Sequence, residues 1–263
     1  MVKIIKKENK ILVRRRKIAV RRWWGFLRFF LVGIFFIGAL WGLNHLYNSS
    51  YFKIKKIEVE GNNYYQDSDI KEQLVDISGT NIFEVNRKKV EEKLVENLLR
   101  LKEVKLNKVF PDKVIIRVIE RNPYIKIAYR DKLYLVDDEG VILDEIDKDE
   151  LEKYKELILV KGVVDYYPEI GEKIAKKNAL SCGKIYLILD SKLKKEIKEA
   201  RLTDNIYGDI VFLTFENKEI IFGSSDKIVQ KCEVLKQIIK QLEKEEYKYD
   251  IIDLRVTENP TVK

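Results

Sequence analysis

The sequence predicts an α+β protein that is held at a membrane by one N-terminal transmembrane helix. Three observations carry this prediction. An uncharged, apolar run covers residues 29–43. Strand-like and helix-like spacings of apolar residues then follow in the order β-α-α-β-β over residues 52–122. A second series of such patterns fills residues 123–263, so we expect a second α+β domain with a mixed or antiparallel sheet and helices on one face.

Residues 23–46 are long enough and apolar enough to cross a bilayer. These 24 residues contain one charge, Arg28, which lies near one end. A helix rises about 1.5 Å per residue, so about 20 residues span a hydrocarbon core of about 30 Å. Trp23 and Trp24 precede the apolar run, while Trp41 and Tyr47 lie near its other end, as in the aromatic belts of membrane helices.

The N-terminal tail, residues 1–22, sets the expected orientation. It carries ten Lys or Arg and one acid, a net charge of +9, whereas the whole chain is +8. Because cationic flanks stay in the cytoplasm, we expect the tail inside the cell and the domains outside. The alternative is a cleaved signal peptide, but the residues after the apolar run are bulky and offer no small-residue cleavage pattern. A nucleic-acid site is not expected, since a membrane span beside the tail explains its charge.

The first domain, residues 52–122, is predicted element by element. A short strand around Ile54, Ile57 and Val59 should end at a turn beginning with Gly61, where glycine permits a left-handed backbone. Two helices should follow and then two strands joined by a turn at Phe110-Pro111-Asp112. The expected bounds are Asp67–Val75 for the first helix, a second helix capped by Asn86 with Val90, Leu94, Leu98 and Leu101 on one stripe, and strands at Val104–Val109 and Val114–Arg121.

The second domain, residues 123–263, is predicted as hairpins interleaved with helices. Asp137-Asp138-Glu139-Gly140 and Glu216-Asn217-Lys218 should be hairpin turns. The expected strands are Tyr124–Tyr129, Leu133–Val136, Val141–Asp144, Leu157–Val160, Ile210–Phe215, Ile220–Phe222 and Ile251–Val256, and the expected helices are Asn178–Leu189 and Asp226–Glu245, the latter capped by Ser225.

Residues that carry catalytic chemistry are scarce. His45 is the only histidine and lies in the membrane segment, which excludes a Ser-His-Asp triad and a histidine metal cluster. No phosphate-binding or dinucleotide-binding glycine motif occurs. Ser-x-x-Lys recurs five times without its companion motifs, as expected where lysine is abundant. We therefore expect no enzyme activity, no cofactor, no metal and no small-molecule substrate.

Two cysteines, Cys182 and Cys232, leave two alternatives open. Each falls on an apolar helix face, which favours buried free thiols. A location outside the cell would also permit a disulfide between them.

Several motifs in the same order resemble those of the FtsQ/DivIB family of bacterial cell-division proteins. Residues 52–61, Gly79–Phe83 and Phe110–Pro123 resemble its polypeptide-transport-associated (POTRA) domain, with Phe83 expected as a core anchor between the two helices. The later pieces resemble its second domain; they are Val136-Asp137, Gly140-Val141, Ile220–Gly223, Lys231 and Ile252–Arg255.

The resemblance implies a non-enzymatic divisome scaffold at the division septum. Family members bind two other single-span proteins, FtsL and a partner of the DivIC/FtsB type, and help to recruit and regulate septal peptidoglycan synthesis. The partner docks around the last strand of the second domain, which is expected to be a sheet edge open to strand addition. Carried over by position, the partner-binding residues are Ile251, Ile252, Asp253, Leu254, Arg255, Val256, Thr257, Glu258, Thr261 and Val262. Ile252, Leu254 and Val256 should share one face, and Arg255 is expected to pair either with Asp253 or with a partner carboxylate.

Two other classes of function remain as alternatives. POTRA domains also occur in secretion and outer-membrane assembly proteins, which usually carry repeated units and a long barrel. An anchored cell-wall enzyme would need only two well-placed carboxylates. The single POTRA-like unit and the missing catalytic motifs favour the scaffold over both.

Overall fold

A computed structural model describes residues 2–176, 178–203 and 208–263, and within these ranges the side chains of residues 2–22, 25, 26 and 148 are left out. The described chain forms six α-helices, α1 to α6, at Val2–Tyr47, Asp67–Glu72, Arg87–Asn97, Asn178–Ile188, Ser191–Glu196 and Ile228–Lys244. Its twelve strands, β1 to β12, are Lys56–Glu60, Leu101–Val109, Lys113–Glu120, Ile125–Tyr129, Lys132–Val136, Ile142–Ile146, Leu159–Lys161, Ile197–Leu202, Ile210–Thr214, Glu219–Gly223, Ile251–Asp253 and Thr261–Val262.

The first helix contains the predicted membrane segment. Within α1, Leu27–Tyr47 is long and apolar enough to cross a membrane. Its large side chains are exposed, as expected for a helix whose surroundings are lipid. The charged side chains of the predicted tail, residues 1–22, lie outside the described residues.

The residues group into two compact units. One consists of Met1–Glu60, Tyr65–Glu92 and Lys105–Arg117, and the other of Gly61–Tyr64, Lys93–Val104 and Val118–Lys263. The division does not coincide with the predicted boundary between residues 122 and 123, so the domain limits 52–122 and 123–263 stay predictions.

The predicted order β-α-α-β-β is confirmed for the first five elements after α1. Their three strands form a sheet in the order β1-β3-β2, and β1 runs parallel to β3. The turn at Gly61 is also confirmed. Its φ is +90°, and an added β-carbon would clash with the carbonyl oxygen of Val118, so only glycine fits there.

The other nine strands form one mixed sheet, as the sequence predicts. Its order is β12-β11-β10-β9-β8-β7-β4-β5-β6. The two predicted hairpins appear as the antiparallel pairs β5–β6 and β9–β10. Strands β4 and β5 are also antiparallel, while β4–β7, β7–β8 and β10–β11 are parallel.

One face of this sheet carries the α-helices. Buried residues from α4, α5 and α6, among them Cys182, Leu193 and Leu235, pack into a common core with strand residues such as Phe212 and Phe222. On the opposite face of β5 and β6, Leu135 lies in a smaller cluster against a 3₁₀ turn at Lys148–Tyr154. Burial of these apolar faces supplies the main driving force for folding this unit.

Three sequence predictions about local structure before the last two strands are wrong. Leu101 starts strand β2 instead of ending a helix, because α3 stops at Asn97. Ser225 does not cap α6, which starts at Ile228 after Lys227 adopts a left-handed backbone with φ of +49°. Phe83 is not a core anchor, since it is 43% exposed and its neighbour Ile82 is fully buried in its place.

Besides β12, the sequence patterns also missed two elements that complete the sheet and its cover. Strand β8 lies between β7 and β9, and α5 leads directly into it. Asp190 caps α5 by accepting a hydrogen bond of 2.8 Å from the backbone N–H of Leu193.

Candidate partner-binding surface at the last two strands

The last strands differ from the single edge strand that the sequence predicts. The predicted strand at Ile251–Val256 is wrong in its extent, because β11 ends at Asp253. The chain then reverses, with a turn in which the N–H of Asn259 donates to the carbonyl of Val256 at 3.0 Å. It returns as β12, Thr261–Val262, which pairs with β11 and takes the edge position.

Strand β11 is therefore hydrogen-bonded on both sides. It runs parallel to β10, where the N–H of Leu254 donates to Ile221 at 2.8 Å. It runs antiparallel to β12, where Ile251 and Lys263 exchange N–H···O bonds of 3.2 and 2.9 Å. No side of β11 is left for a further strand, so at this end of the sheet a further strand could pair only with β12.

The register identifies which backbone groups of β12 face outward. In antiparallel pairs, residues that exchange both hydrogen bonds alternate with residues that exchange none. Lys263 exchanges both bonds with Ile251, and Val262 lies opposite Ile252 in the next pair. The N–H and C=O of Val262 therefore point away from β11, toward the outer side of the sheet edge.

Side chains at this edge divide between core and surface. Ile252 and Leu254 are fully buried, and Val262 is partly buried against the same core. Val256 does not share their face as predicted; it is 59% exposed because the strand has already ended. Thr257 is buried within the turn.

Asp253 and Arg255 form a tight ion pair beside β11. The carboxylate of Asp253 accepts hydrogen bonds from Arg255 Nε at 3.0 and 3.1 Å and from Nη2 at 2.6 Å. These bonds hold the pKa of Asp253 below its ordinary value. Of the two predicted partners of Arg255, the one in its own chain is present.

The Arg255 side chain also lies directly on Gly223 at the end of β10. An added β-carbon on Gly223 would come within 2.7 Å of Arg255 Cγ, and the φ of Gly223 is +69°. Glycine at this position lets the arginine lie flat across the strand end.

A second ion pair joins the turn to the start of α6. Lys227 Nζ lies 2.7 Å from Glu258 Oε1, and this hydrogen bond lowers the pKa of Glu258. Both side chains are largely exposed, so the pair contributes little to stability and remains accessible.

Lys231, a buried residue of α6, supports the end of strand β10. The sequence patterns did not predict this role. Lys231 of α6 is 1% exposed, and its Nζ donates to the carbonyls of Phe222 and Ser224 at 2.8 and 3.0 Å. Asp226 lies 3.6 Å away. Lys231 thus fixes the end of β10, on which β11 is built.

The described residues show no catalytic constellation at this surface. Among them, no group of three His, Cys, Asp or Glu side chains could hold a metal ion. Cys182 and Cys232 are buried free thiols, and burial raises their pKa to about 12 and about 11. The chemistry this edge offers is therefore backbone hydrogen bonding flanked by two ion pairs.

Comparison with known proteins gives matches along most of the chain. The POTRA domain of FtsQ type matches residues 52–121, and the C-terminal domain of cell division protein FtsQ/DivIB matches residues 127–255. Cell division protein FtsQ of Syntrophotalea carbinolica is 26% identical over 98% of this chain and 90% of its own length.

Clostridial relatives show the same likeness. Cell division protein DivIB of Clostridium botulinum strain Hall is 25% identical over 80% of this chain and 81% of its own length. Cell division protein DivIB of Clostridium acetobutylicum is 29% identical over 73% of this chain and 75% of its own length.

Proposed function

The chain belongs to the FtsQ/DivIB family of cell division proteins, and we propose that it is a membrane-anchored divisome scaffold. In this proposal it binds FtsL and a DivIC/FtsB-type protein, and it helps to recruit and regulate septal peptidoglycan synthesis. It does so without catalysis of its own.

The outer edge of β12 is the observation that supports partner binding. Val262 presents an outward N–H and C=O, which an extended partner segment can use to continue the nine-stranded sheet. Lys227, Arg255 and Glu258 lie around the same strands and offer charges that can fix register. We propose that Ile251–Glu258, Thr261 and Val262 form the docking surface, with contact made through β12 and the turn while β11 supports them.

The membrane helix and its flanking charge support a single-pass topology. Leu27–Tyr47 can cross a bilayer, and the tail before it has a net charge of +9. We propose that the tail is cytoplasmic and that residues from about 52 onward lie outside the cell at the septum.

Protease accessibility tests this topology. Protease added to intact spheroplasts should digest the part of the chain after α1, while an epitope fused to Met1 stays protected until the membrane is permeabilised. The reverse pattern would overturn the topology and with it the access of partners to β12.

A proline substitution tests the docking edge. Val262→Pro removes the outward N–H, and proline is tolerated at an edge strand where that N–H faces solvent, so the fold should persist. We expect the variant to lose capture of DivIC/FtsB-type protein when the full chain is purified from membranes in which both are expressed. Val262→Ala shortens the side chain but keeps the N–H, and it should retain capture.

Equal capture by the proline and alanine variants would contradict strand addition at β12. Thermal unfolding of both variants separates a lost donor from a lost fold, since the two should melt at similar temperatures.

A further inference from the structure

Four aromatic side chains form an exposed cluster where the membrane helix ends. The cluster, here called the juxtamembrane patch, consists of Tyr47, Tyr51, Phe83 and Phe110, which are between 41% and 57% exposed. The ring centroid of Phe83 lies 5.4 Å from Tyr47 and 5.2 Å from Phe110. Phe52 links Tyr51 to Phe83 at 5.2 and 5.1 Å. All of these residues lie in one compact unit.

The patch is fixed to the end of α1 by hydrogen bonds. Asn81 donates its side-chain amide to the carbonyl of Tyr47, the last residue of the helix. A few residues later, the N–H of Ile82 donates to Phe52 and the N–H of Ile54 donates to Thr80, both at 2.9 Å. The chain therefore leaves the span already paired to the loop that carries Phe83, with no flexible linker between them.

Cations flank the patch in the sequence. Lys53, Arg87 and Lys108 lie within four residues of Phe52, Phe83 and Phe110 respectively. Burial, and then the charge of Arg87, lowers the pKa of Lys108, which indicates that these two cations lie near each other. Within four residues of these three rings the sequence has six cations and two acids, Glu84 and Asp112, so the surroundings carry a positive excess that suits an anionic surface.

We propose that the juxtamembrane patch inserts into the headgroup region of the bilayer leaflet from which α1 emerges. This inference rests on the membrane anchoring of the proposed function. Tyrosine and phenylalanine rings favour the interface, where an apolar ring surface is removed from water while polar groups stay hydrated. Tyr47 is the last residue of α1 and lies where the helix leaves the bilayer. The ring of Phe83 stacks on Tyr47 and therefore lies at the same depth relative to the bilayer.

The bilayer accounts for exposed rings that the protein core leaves uncovered. Contiguous apolar surface in water is unusual outside interaction sites. Because α1 anchors every copy of the chain, this surface always lies beside lipid. A protein partner that covered it would have to be present in addition. Membrane contact at these rings would hold the first compact unit at the surface.

A depth-sensitive fluorophore tests the proposal in the full chain. Phe110→Cys and Tyr51→Cys variants are labelled with an environment-sensitive dye and reconstituted into phosphatidylcholine–phosphatidylglycerol vesicles that carry a nitroxide just below the headgroups. Ile119→Cys is the matched control, because Ile119 is as exposed as the patch residues, at 54%. Strand β3 starts three residues after Phe110, and Ile119 lies about 20 Å along the strand from that start. The unsubstituted chain, whose thiols are buried, gives the labelling background.

We expect the labels at positions 110 and 51 to emit at shorter wavelength and to be quenched several-fold more strongly than the label at 119. Equal quenching at all three positions, in chains that float with the vesicles, would overturn the insertion of the patch but not the membrane anchoring. It would point instead to a protein partner that covers these rings. Failure of the chain to float with the vesicles would overturn the anchoring as well. Unchanged thermal unfolding of each variant confirms that the label reports a folded chain.

Discussion

The Asp253–Arg255 pair shows how a single residue shapes the candidate site. Asp253 takes up the Nε N–H and one Nη2 N–H of the guanidinium, so Arg255 reaches a partner carboxylate through its three remaining N–H groups, on Nη1 and Nη2, or by exchanging Asp253. The same pair keeps Arg255 flat on Gly223. We therefore interpret Arg255 first as a residue that positions the end of β10 and the turn, and second as a contact for a partner.

Asp253→Asn should destabilise the chain in a pH-dependent manner. The hydrogen bonds from Arg255 lower the pKa of Asp253 in the folded state, so their stabilisation is complete above the ordinary aspartate pKa of about 4. It is lost as the pH falls through the lowered value. The difference in unfolding free energy between the original chain and the variant should thus be constant near neutrality and shrink below about pH 4.

The measurement is denaturant unfolding of the full chain in detergent at several pH values. Glu258→Gln is the control, because its ion pair with Lys227 is exposed and should change stability little at any pH. A difference for Asp253→Asn that stays constant to the lowest pH would contradict the role of the pair.

Helix α6 supports the edge of the sheet from the face on which the helices pack. The Lys231 ammonium satisfies two carbonyl groups, those of Phe222 and Ser224, where β10 ends and the chain turns toward the helix. Without a donor at this depth, both carbonyls would lose their partner. The helix thus fixes β10, β10 fixes β11, and β11 fixes the edge strand β12.

Lys231→Met should therefore lower the free energy of unfolding by about 1–3 kcal/mol, because the carbonyl of buried Phe222 loses its hydrogen bond, whereas Ser224 is exposed to water. Lys236→Met, on the same helix but exposed, should change it by less than about 0.5 kcal/mol. Denaturant unfolding of the full chain in detergent measures both. Similar values for the two variants would show that Lys231 does not support the sheet edge.

Sequence patterns predicted elements well where one face is buried and the apolar spacing is regular. Strands β1 and β3 and helix α6 belong to this class, whereas β9 was predicted from a continuous apolar run that is buried at every position. Strand β8 was missed because its sequence, in which Lys198, Glu199 and Arg201 are charged, follows α5 without a turn residue and resembles a continued helix. Strand β12 has two residues, too few for any alternation, so the true sheet edge could not be predicted from spacing.

The wrong predictions of burial at Phe83 and Val256 have a different cause. Both are apolar residues in an apolar pattern, which predicts burial, yet both are exposed. At Phe83 the neighbour Ile82 fills the core, and at Val256 the strand has already ended. Spacing alone cannot tell which of two adjacent apolar residues a fold buries.

The whole molecule consists of three parts that follow one another along the chain. A basic tail leads into a helix that is long and apolar enough to cross a membrane, residues 52–121 match a POTRA domain, and a nine-stranded sheet ends in a short edge strand. Family membership is carried by both matched domains together, since their residues cover 52–121 and 127–255. The matched range stops before β12, so the edge strand is the part whose role rests most on its geometry.

Residue-resolved amide hydrogen exchange at Val262 tests strand addition at β12. The full chain is compared with and without bound DivIC/FtsB-type protein. The Val262 N–H points outward and should become protected in the complex, whereas the Lys263 N–H, already donating to Ile251, should change much less. A Val262 amide that exchanges at the same rate in the free and bound protein would contradict partner capture by strand addition at β12.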